Sequence, residues 1–109
     1  MTRVEQIGAA TLYHADARDV LPTLGTVSCI ITDQPYSERT HAGHDALKGT
    51  ASMRPLGYAA LSPADCEALA ALFHAAAEGW IVWMHDHTLA PAIHAGLSND
   101  GRYVFAPLP

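Results

Sequence analysis

The chain has 109 residues, of which 50% are hydrophobic and 16% charged, and its formal net charge is −5. This length suits one domain with a small core, and neither an apolar run of the roughly 20 residues that cross a bilayer nor a signal-peptide pattern occurs, which predicts a cytoplasmic protein without a membrane partner. Because phosphate neutralisation requires a basic surface, the acidic balance excludes a protein that clamps nucleic acid along its whole surface.

The first half of the sequence predicts two strands with a helix between them. A-T-L-Y-H at 10–14 has the character of a short strand, and the following residues have helical spacing up to Gly25. V-S-C-I-I-T at 27–32 lacks polar alternation, as expected of a strand whose two faces are covered by helices. From Gln34 to about Ala60 no period is visible, which predicts a long loop of the kind that is either functional or disordered.

The second half alternates helices and strands. Ser62 is a good N-cap, Pro63 suits the first helical position and Gly79 closes the segment, so we predict a helix there. This alternation predicts an α/β fold whose sheet has mostly parallel strands joined by crossover helices. The remaining predicted elements are a strand at 80–84, a helix at 88–98 and a fourth strand at 103–106.

The tetrapeptide D-Q-P-Y at 33–36 comes directly after the apolar strand 27–32. In open α/β sheets, ligands bind outside the carboxyl ends of the strands, and this is where the tetrapeptide is expected. One interpretation is purely structural: Asp33 caps a turn, Pro35 shapes it and Tyr36 packs at the rim. The other interpretation is a reaction site, and the surrounding sequence favours it.

Residues 12–36, LYHADARDVLPTLGTVSCIITDQPY, resemble the opening of the amino-group DNA methyltransferases. These enzymes transfer a methyl group from S-adenosylmethionine to the exocyclic nitrogen of adenine or cytosine. Members of the family have Leu-x-x-x-Asp, a helix ending in Leu-x-x-Leu, an apolar strand and a catalytic Asp-Pro-Pro-Tyr. The resemblance, which extends to the later LFHAAAEGWIVWMHDH, implies a partial Rossmann-like methyltransferase sheet. The matching residues are Leu12, Asp16, Leu21, Leu24, strand 27–32 and the tetrapeptide 33–36.

The resemblance assigns catalytic roles within the tetrapeptide Asp33-Gln34-Pro35-Tyr36. These enzymes flip the target base out of double-stranded DNA, which implies DNA as the partner. The Asp33 carboxylate and the main-chain carbonyl of Gln34 would accept the hydrogens of the amino group, and Tyr36 would stack on the base. The family normally has proline in place of Gln34, but the role uses the backbone, and Pro35 already biases residue 34 to extended geometry. We therefore expect a variant or weakened site rather than an inactive one.

Further candidate contacts flank the tetrapeptide. Asp16 matches an acid that lies near the cofactor adenosine in relatives, although it suits equally well the cap of a helix that begins at Ala17. The loop 37–60 resembles the variable segment of the family, and its basic residues are candidates for phosphate contacts, with a merely solvated loop as the alternative. These basic residues are Arg39, Lys48 and Arg54.

The Gly-rich part that binds the cofactor in relatives has no counterpart in the sequence. Relatives hold S-adenosylmethionine with a Gly-rich turn after a strand, whereas no G-x-G occurs in these 109 residues. In the circularly permuted (beta-class) branch the tetrapeptide comes first and the Gly-rich turn lies near the C-terminus. The resemblance thus implies that residues 1–109 are the N-terminal portion of a catalytic domain, inactive alone, with the missing C-terminal half or a second copy as partner. It does not choose between adenine and cytosine or between DNA and RNA.

Two other interpretations stay open at the level of the sequence. His85 and His87 project from one face of a strand, and a loop with His41, His44 and Asp45 lies in reach, a combination that suits iron or zinc. We assign no metal site, because HxH pairs are common and one residue of this H-D-H run is expected to cap the next helix. The second interpretation is a non-catalytic methyltransferase remnant that binds another chain through an uncovered sheet edge.

Overall fold

The computed structural model describes residues 2–40, residue 42 and residues 59–109. The described chain is mixed α/β, which confirms the fold class at this level. Residues 38–40, after the third strand, are also helical. The remaining elements are β1 (Arg3–Ile7), β2 (Ala10–His14), α1 (Ala17–Val20) with a 3-10 turn at Leu21–Thr23, β3 (Ile30–Asp33), α2 (Pro63–Ala76), β4 (Ile81–Met84) and α3 (Ala90–Asn99).

The N-terminal strands form a hairpin that the sequence analysis did not predict. β2 occupies the predicted residues, but it pairs antiparallel with β1, with Arg3 opposite His14 and Ile7 opposite Ala10, so its predicted place in a parallel sheet is wrong. Gly8, at φ +58, allows the tight turn between the strands. Closing so short a turn costs little chain entropy, whereas pairing with β3 would require a long connection.

The second sheet consists of the parallel pair β3 and β4, with Ile30 opposite Ile81 and Asp33 opposite Met84. Side chains alternate between two faces, and the face that carries Trp83 packs on α2, where the Phe73 and Trp83 rings meet edge to face at 5.0 Å. The opposite face is open to solvent, with Ile31 69% exposed. Among the described residues, helices therefore cover one face of this sheet and not both, contrary to the prediction from strand 27–32.

Helix α2 begins where the sequence predicts and ends earlier. Ser62 and Asp65 form a reciprocal capping box, in which each side chain accepts a backbone N–H of the other residue. The helix ends at Ala76 and not near Gly79, because the chain before β3 bonds to its last turn: the Val27 N–H donates to the Ala76 carbonyl at 2.8 Å. The tertiary contact thus sets this helix end.

The core lies between α2, α3 and the inner face of the β3–β4 sheet. Helices α2 and α3 approach closely at Gly96, where an added Cβ would lie 2.9 Å from the Ala70 Cβ. Pro91 lies in the first turn of α3, where its missing N–H costs no helical hydrogen bond. The buried core residues that cluster together are Cys66, Ala70, Leu89, Ile93 and Leu97.

The predicted fourth strand at 103–106 is wrong, because these residues are extended without a ladder partner. Val104 packs against the core, while Phe105 lies against the Trp80 ring at 5.4 Å between centroids. Arg102 donates hydrogen bonds to the Gly79 carbonyl at 2.7 Å and the Ala77 carbonyl at 2.6 Å. Side-chain packing and the hydrogen bonds of Arg102 therefore hold residues 102–105 in place of the expected sheet pairing. None of the described helices has the length and apolar content that crossing a membrane requires.

Candidate active site

The tetrapeptide lies at the carboxyl end of β3, where a ligand site is expected in such a sheet. Asp33 is the last residue of the strand and is exposed on its open face, and Gln34, Pro35 and Tyr36 follow, half-buried. These four residues line one open pocket of about 360 Å³. Pockets that hold small ligands occupy roughly 300–1,000 Å³, so this one is within their range. The structure therefore gathers all four predicted residues around a single cavity.

The side chain of Gln34 turns back along β3. Its Nε2 donates a hydrogen bond to the Thr32 hydroxyl, which is itself buried. The amide group is thus engaged with the strand while the residue still lines the pocket. A neighbouring hydroxyl group of the same strand therefore satisfies the polar side chain of Gln34.

The segment after the tetrapeptide is held by one carboxylate, that of Asp86, just beyond β4. Asp86 Oδ2 accepts hydrogen bonds from the Ser37 N–H at 3.0 Å, from the Ser37 hydroxyl and from the Thr40 hydroxyl at 2.5 Å. Its Oδ1 accepts the Leu89 N–H at 3.1 Å. We call Ser37, Thr40, Asp86 and Leu89 the Asp86 clamp. The clamp ties the chain that leaves β3 to the chain that leaves β4.

The electrostatic state of Asp86 follows from these contacts. Partial burial raises the pKa of this carboxyl, but the hydrogen bonds from the Ser37 and Thr40 side chains and from two backbone N–H groups outweigh it and lower the pKa to about 2. Asp86 is therefore ionised at neutral pH. Asp86 accepts the N–H of Leu89, the N-cap residue of α3, but no described side chain caps the first turn of that helix, so the predicted cap from the H-D-H run is wrong.

Sequence reasoning missed the contacts of Asp86 with the segment after the tetrapeptide. The sequence did contain one signal: Asp33 and Asp86 each follow a buried apolar strand, and the carboxyl ends of parallel strands meet at the same edge of a sheet. The pairing of the two strands was predicted only in general terms. The residues that Asp86 would bind lie 49 and 46 positions away, beyond the reach of local patterns.

A second contact holds the tetrapeptide from the side of α2. The Tyr36 carbonyl accepts the Leu61 N–H at 3.0 Å, and Ser37 and Leu61 form an isolated parallel bridge. Leu61 in turn packs against the core. The backbone immediately after Pro35 is therefore fixed by two long-range contacts, one to the start of α2 and one to the end of β4.

One of the three basic candidates for phosphate contact is within the described chain. Arg39 is exposed, and its Nη1 lies 3.2 Å from His87 Nε2, beyond the end of β4. Lys48 and Arg54 lie outside the described residues. Because a guanidinium only donates, His87 Nε2 accepts in this contact, and Arg39 brings a positive charge close to the end of β4.

Three of the five candidate metal ligands, His41, His44 and Asp45, lie outside the described residues. Within residues 2–40, 42 and 59–109, no three His, Cys, Asp or Glu side chains come together as metal ligands. His85 Nδ1 is 2.7 Å from the Asp86 carbonyl oxygen, which accepts its proton. This contact occupies one ring nitrogen of the H-x-H pair.

Asp16 caps α1, in agreement with one of its two interpretations. Its Oδ1 accepts the Arg18 N–H at 2.9 Å, and its Oδ2 pairs with the Arg18 guanidinium at 2.6 Å. The hydrogen bond from the Arg18 side chain is the main cause that lowers the pKa of Asp16 to about 2. The contact with a cofactor adenosine stays a prediction.

No protein-family model, curated protein or solved structure matches the chain. The chemistry of the site is therefore inferred from the functional groups of the residues that line it. The pocket is lined by an exposed acidic residue, by Gln34 and Pro35 and by the aromatic residue Tyr36, and two long-range contacts hold the chain that follows them. Such a set accepts hydrogens from a planar amino-bearing ring and stacks against its face.

Proposed function

We propose that this chain carries the catalytic tetrapeptide of an S-adenosylmethionine-dependent DNA methyltransferase that modifies the exocyclic amino group of adenine or cytosine. The observation that carries the proposal is the placement of Asp33 at the carboxyl end of β3, exposed and facing a pocket that it shares with Gln34, Pro35 and Tyr36. The likeness of residues 12–36 to this enzyme family supports the same reaction. The proposal includes a Rossmann-like methyltransferase sheet, of which β3 and β4 would be two strands.

Methyl transfer to an exocyclic amino group needs two hydrogen-bond acceptors for the amino hydrogens and one aromatic surface that stacks on the base. The lone pair of an exocyclic amino group is delocalised into the ring, which makes the nitrogen a poor nucleophile. In this proposal the Asp33 carboxylate and the Gln34 carbonyl grip the two amino hydrogens and favour the geometry in which the nitrogen attacks. Tyr36 stacks on the flipped base, a contact that is worth about 1–3 kcal/mol in other base-binding sites. Methyl transfer forms the N–C bond, breaks the S–C bond of the donor and releases one amino proton.

The methyl donor is S-adenosylmethionine in this proposal, and Asp16 does not by itself provide its site. Both carboxylate oxygens of Asp16 bond to Arg18, and the exposed carboxylate keeps lone pairs that accept a further hydrogen bond. Asp16 is the described residue that we assign to the adenosine of the donor, in addition to its role as the cap of α1. Arg39, exposed beside His87, is the described residue that we assign to a DNA phosphate.

The experiment compares Asp33→Ala with Gln34→Ala in the longest natural polypeptide that contains these residues. Asp33→Ala removes an acceptor from the reacting group, so we expect methyl transfer to double-stranded DNA to fall by about 10²-fold or more. Gln34→Ala keeps the backbone carbonyl and loses only the bond to Thr32, so we expect transfer within a few-fold of the unaltered protein. The measurement is incorporation of labelled methyl groups into DNA of random sequence.

The control for folding is the thermal unfolding midpoint of each variant, because Asp33 is exposed and its loss should leave the fold intact. Transfer that survives Asp33→Ala would contradict the assignment of Asp33. A loss of transfer with Gln34→Ala that equals the loss with Asp33→Ala would assign the reaction to the amide side chain and contradict the role of the backbone.

A second candidate function is a non-catalytic protein that binds another chain. The observation that favours it is the open face of the β3–β4 sheet, on which Ile31, Val82 and Met84 are exposed. Exposed apolar patches often mark interaction sites. A protein of this kind would show no methyl transfer in the assay above, and substitutions at Ile31 or Val82 would alter its association while Asp33→Ala would not.

A further inference from the structure

We infer that Asp86 is a positioning residue, whose clamp fixes the tetrapeptide for its reaction by anchoring Ser37 and Thr40 to the end of β4. The inference rests on the proposed function for what the positioned residues do, whereas the anchoring itself is a separate, measurable property. Asp86 does not line the tetrapeptide pocket, so it acts through Ser37 and not on a substrate.

The clamp is built from an unusual concentration of donors on one side chain. Four hydrogen bonds converge on the Asp86 carboxylate, two from hydroxyl groups and two from backbone N–H groups. Bonds to an ionised acceptor are stronger than neutral ones. Ser37 is only 3% exposed, so water does not easily replace the bonds that its N–H and hydroxyl would lose.

The position of the clamp in the chain explains its effect on the tetrapeptide. Asp33 is fixed at one end by its pairing with Met84, and Ser37 is fixed at the other end by Asp86. Only Gln34, Pro35 and Tyr36 lie between these two anchors, and both anchors attach to the same strand, β4, and the residues that follow it. A displacement of about 1 Å in a reacting geometry costs on the order of 10²-fold in rate, so an anchor of this kind matters for catalysis.

A purely stabilising role for Asp86 is the alternative, and the chain offers a matched control for it. Asp65 is also a carboxylate that accepts bonds from a serine hydroxyl and a backbone N–H, and it caps a helix. It lies at the start of α2 and contacts no residue of the tetrapeptide through a hydrogen bond that the described chain contains. Loss of Asp65 therefore tests a generic loss of capping, and loss of Asp86 tests the anchor.

The test measures hydrogen exchange of individual backbone amides in the full chain for Asp86→Asn and Asp65→Asn. Asparagine still accepts the Leu89 N–H, so Asp86→Asn keeps the contact with the turn before α3, and it removes the charge that holds Ser37. We expect the Ser37 amide to exchange at least about tenfold faster in Asp86→Asn, as for a lost bond to a charged group, and to be unchanged in Asp65→Asn. Exchange of the Leu97 amide, in the core of α3, reports global opening, so in Asp86→Asn it should accelerate only by the loss of overall stability and by less than exchange of the Ser37 amide.

An unchanged Ser37 exchange rate in Asp86→Asn, or an equal acceleration in Asp65→Asn, would overturn the anchor. The catalytic consequence is read separately in the longest natural polypeptide. There we expect Asp86→Asn to lower kcat for methyl transfer about tenfold or more with the KM for the methyl donor unchanged. An unchanged kcat together with a faster Ser37 exchange would overturn the positioning role. Failure of the proposed function itself would appear differently, as methyl transfer that is absent or insensitive to Asp33→Ala while Ser37 exchange still responds to Asp86.

Discussion

At the scale of single residues, the tetrapeptide depends on backbone groups as much as on side chains. The methyltransferases that residues 12–36 resemble have proline where this chain has Gln34, whose side-chain amide bonds to Thr32. A half-buried side-chain bond of this kind contributes about 0.5–1.5 kcal/mol to stability. The glutamine thus compensates with a hydrogen bond for part of the rigidity that a proline ring would supply.

The low pKa of Asp86 makes a prediction about pH. Its folded-state pKa is about 2, below the ordinary 3.8, so ionised Asp86 stabilises the fold above pH 3.8 and this contribution disappears as the pH falls through 2. We therefore expect the free energy of unfolding of the unaltered chain to exceed that of Asp86→Asn by a constant amount at neutral pH. The difference should shrink between pH 3.8 and 2, because a protonated carboxyl resembles an amide.

The measurement is chemical denaturation of both proteins across that range of pH. Asp16 and Asp65 also have lowered pKa values, so the stability of either protein alone falls in acid. The difference between the two proteins removes this common contribution and isolates Asp86. A difference that stays constant down to pH 2 would show that the charge of Asp86 does not stabilise the clamp.

At the scale of elements, the contact between α2 and α3 depends on the absence of a side chain at Gly96. A Cβ there would lie 2.9 Å from the Ala70 Cβ, closer than carbon atoms normally approach. Overpacking of this kind costs about 1–3 kcal/mol, which exceeds the gain of about 1 kcal/mol from replacing glycine in a helix. We expect Gly96→Ala to lower the free energy of unfolding by about 1 kcal/mol.

Two further variants test whether this cost comes from the Ala70 contact. Ser98→Ala, at an exposed position of the same helix, gains helix propensity without a clash and should be neutral or slightly stabilising. Ala70→Gly in the Gly96→Ala background removes the clashing methyl group, so the two substitutions should be non-additive in denaturant unfolding. Additive effects would contradict the proposed contact as the cause.

At the scale of the whole molecule, the open face of the β3–β4 sheet is an apolar surface that no described element covers. Parallel strands are normally covered on both faces. Ile31 is 69% exposed and Val82 47% exposed, and they lie opposite each other on this face. We expect the chain to associate at high concentration through this surface, and Val82→Thr to weaken the association without a large change in unfolding.

Sedimentation velocity over a range of concentrations measures the effect, with Val4→Thr as the matched control. Val4 is 52% exposed on the hairpin, similar to Val82, but its neighbours on that face include Gln6 and Thr11, which hydrogen-bond to each other. The same substitution there should change association little. Equal effects of Val4→Thr and Val82→Thr would show that exposed valines act without regard to the sheet face.

The sequence by itself determined the features that depend on neighbouring residues. The capping box of Ser62 and Asp65, the apolar strand that ends at Asp33 and the position of the tetrapeptide at a strand end all follow from local patterns, because capping bonds and strand periodicity act over a few positions. The two helices after Ser62 and the strand between them were predictable for the same reason.

Only the tertiary structure decided which distant groups meet. It paired β2 with β1, left 103–106 without a strand partner, opened one face of the β3–β4 sheet and brought Asp86 to Ser37, 49 residues away. Pairings of this kind depend on loop closure and on which surfaces other elements leave free, and no local residue pattern encodes that competition. The tetrapeptide was therefore recognisable in the sequence. The Asp86 clamp was not, because it depends on the pairing of β3 with β4.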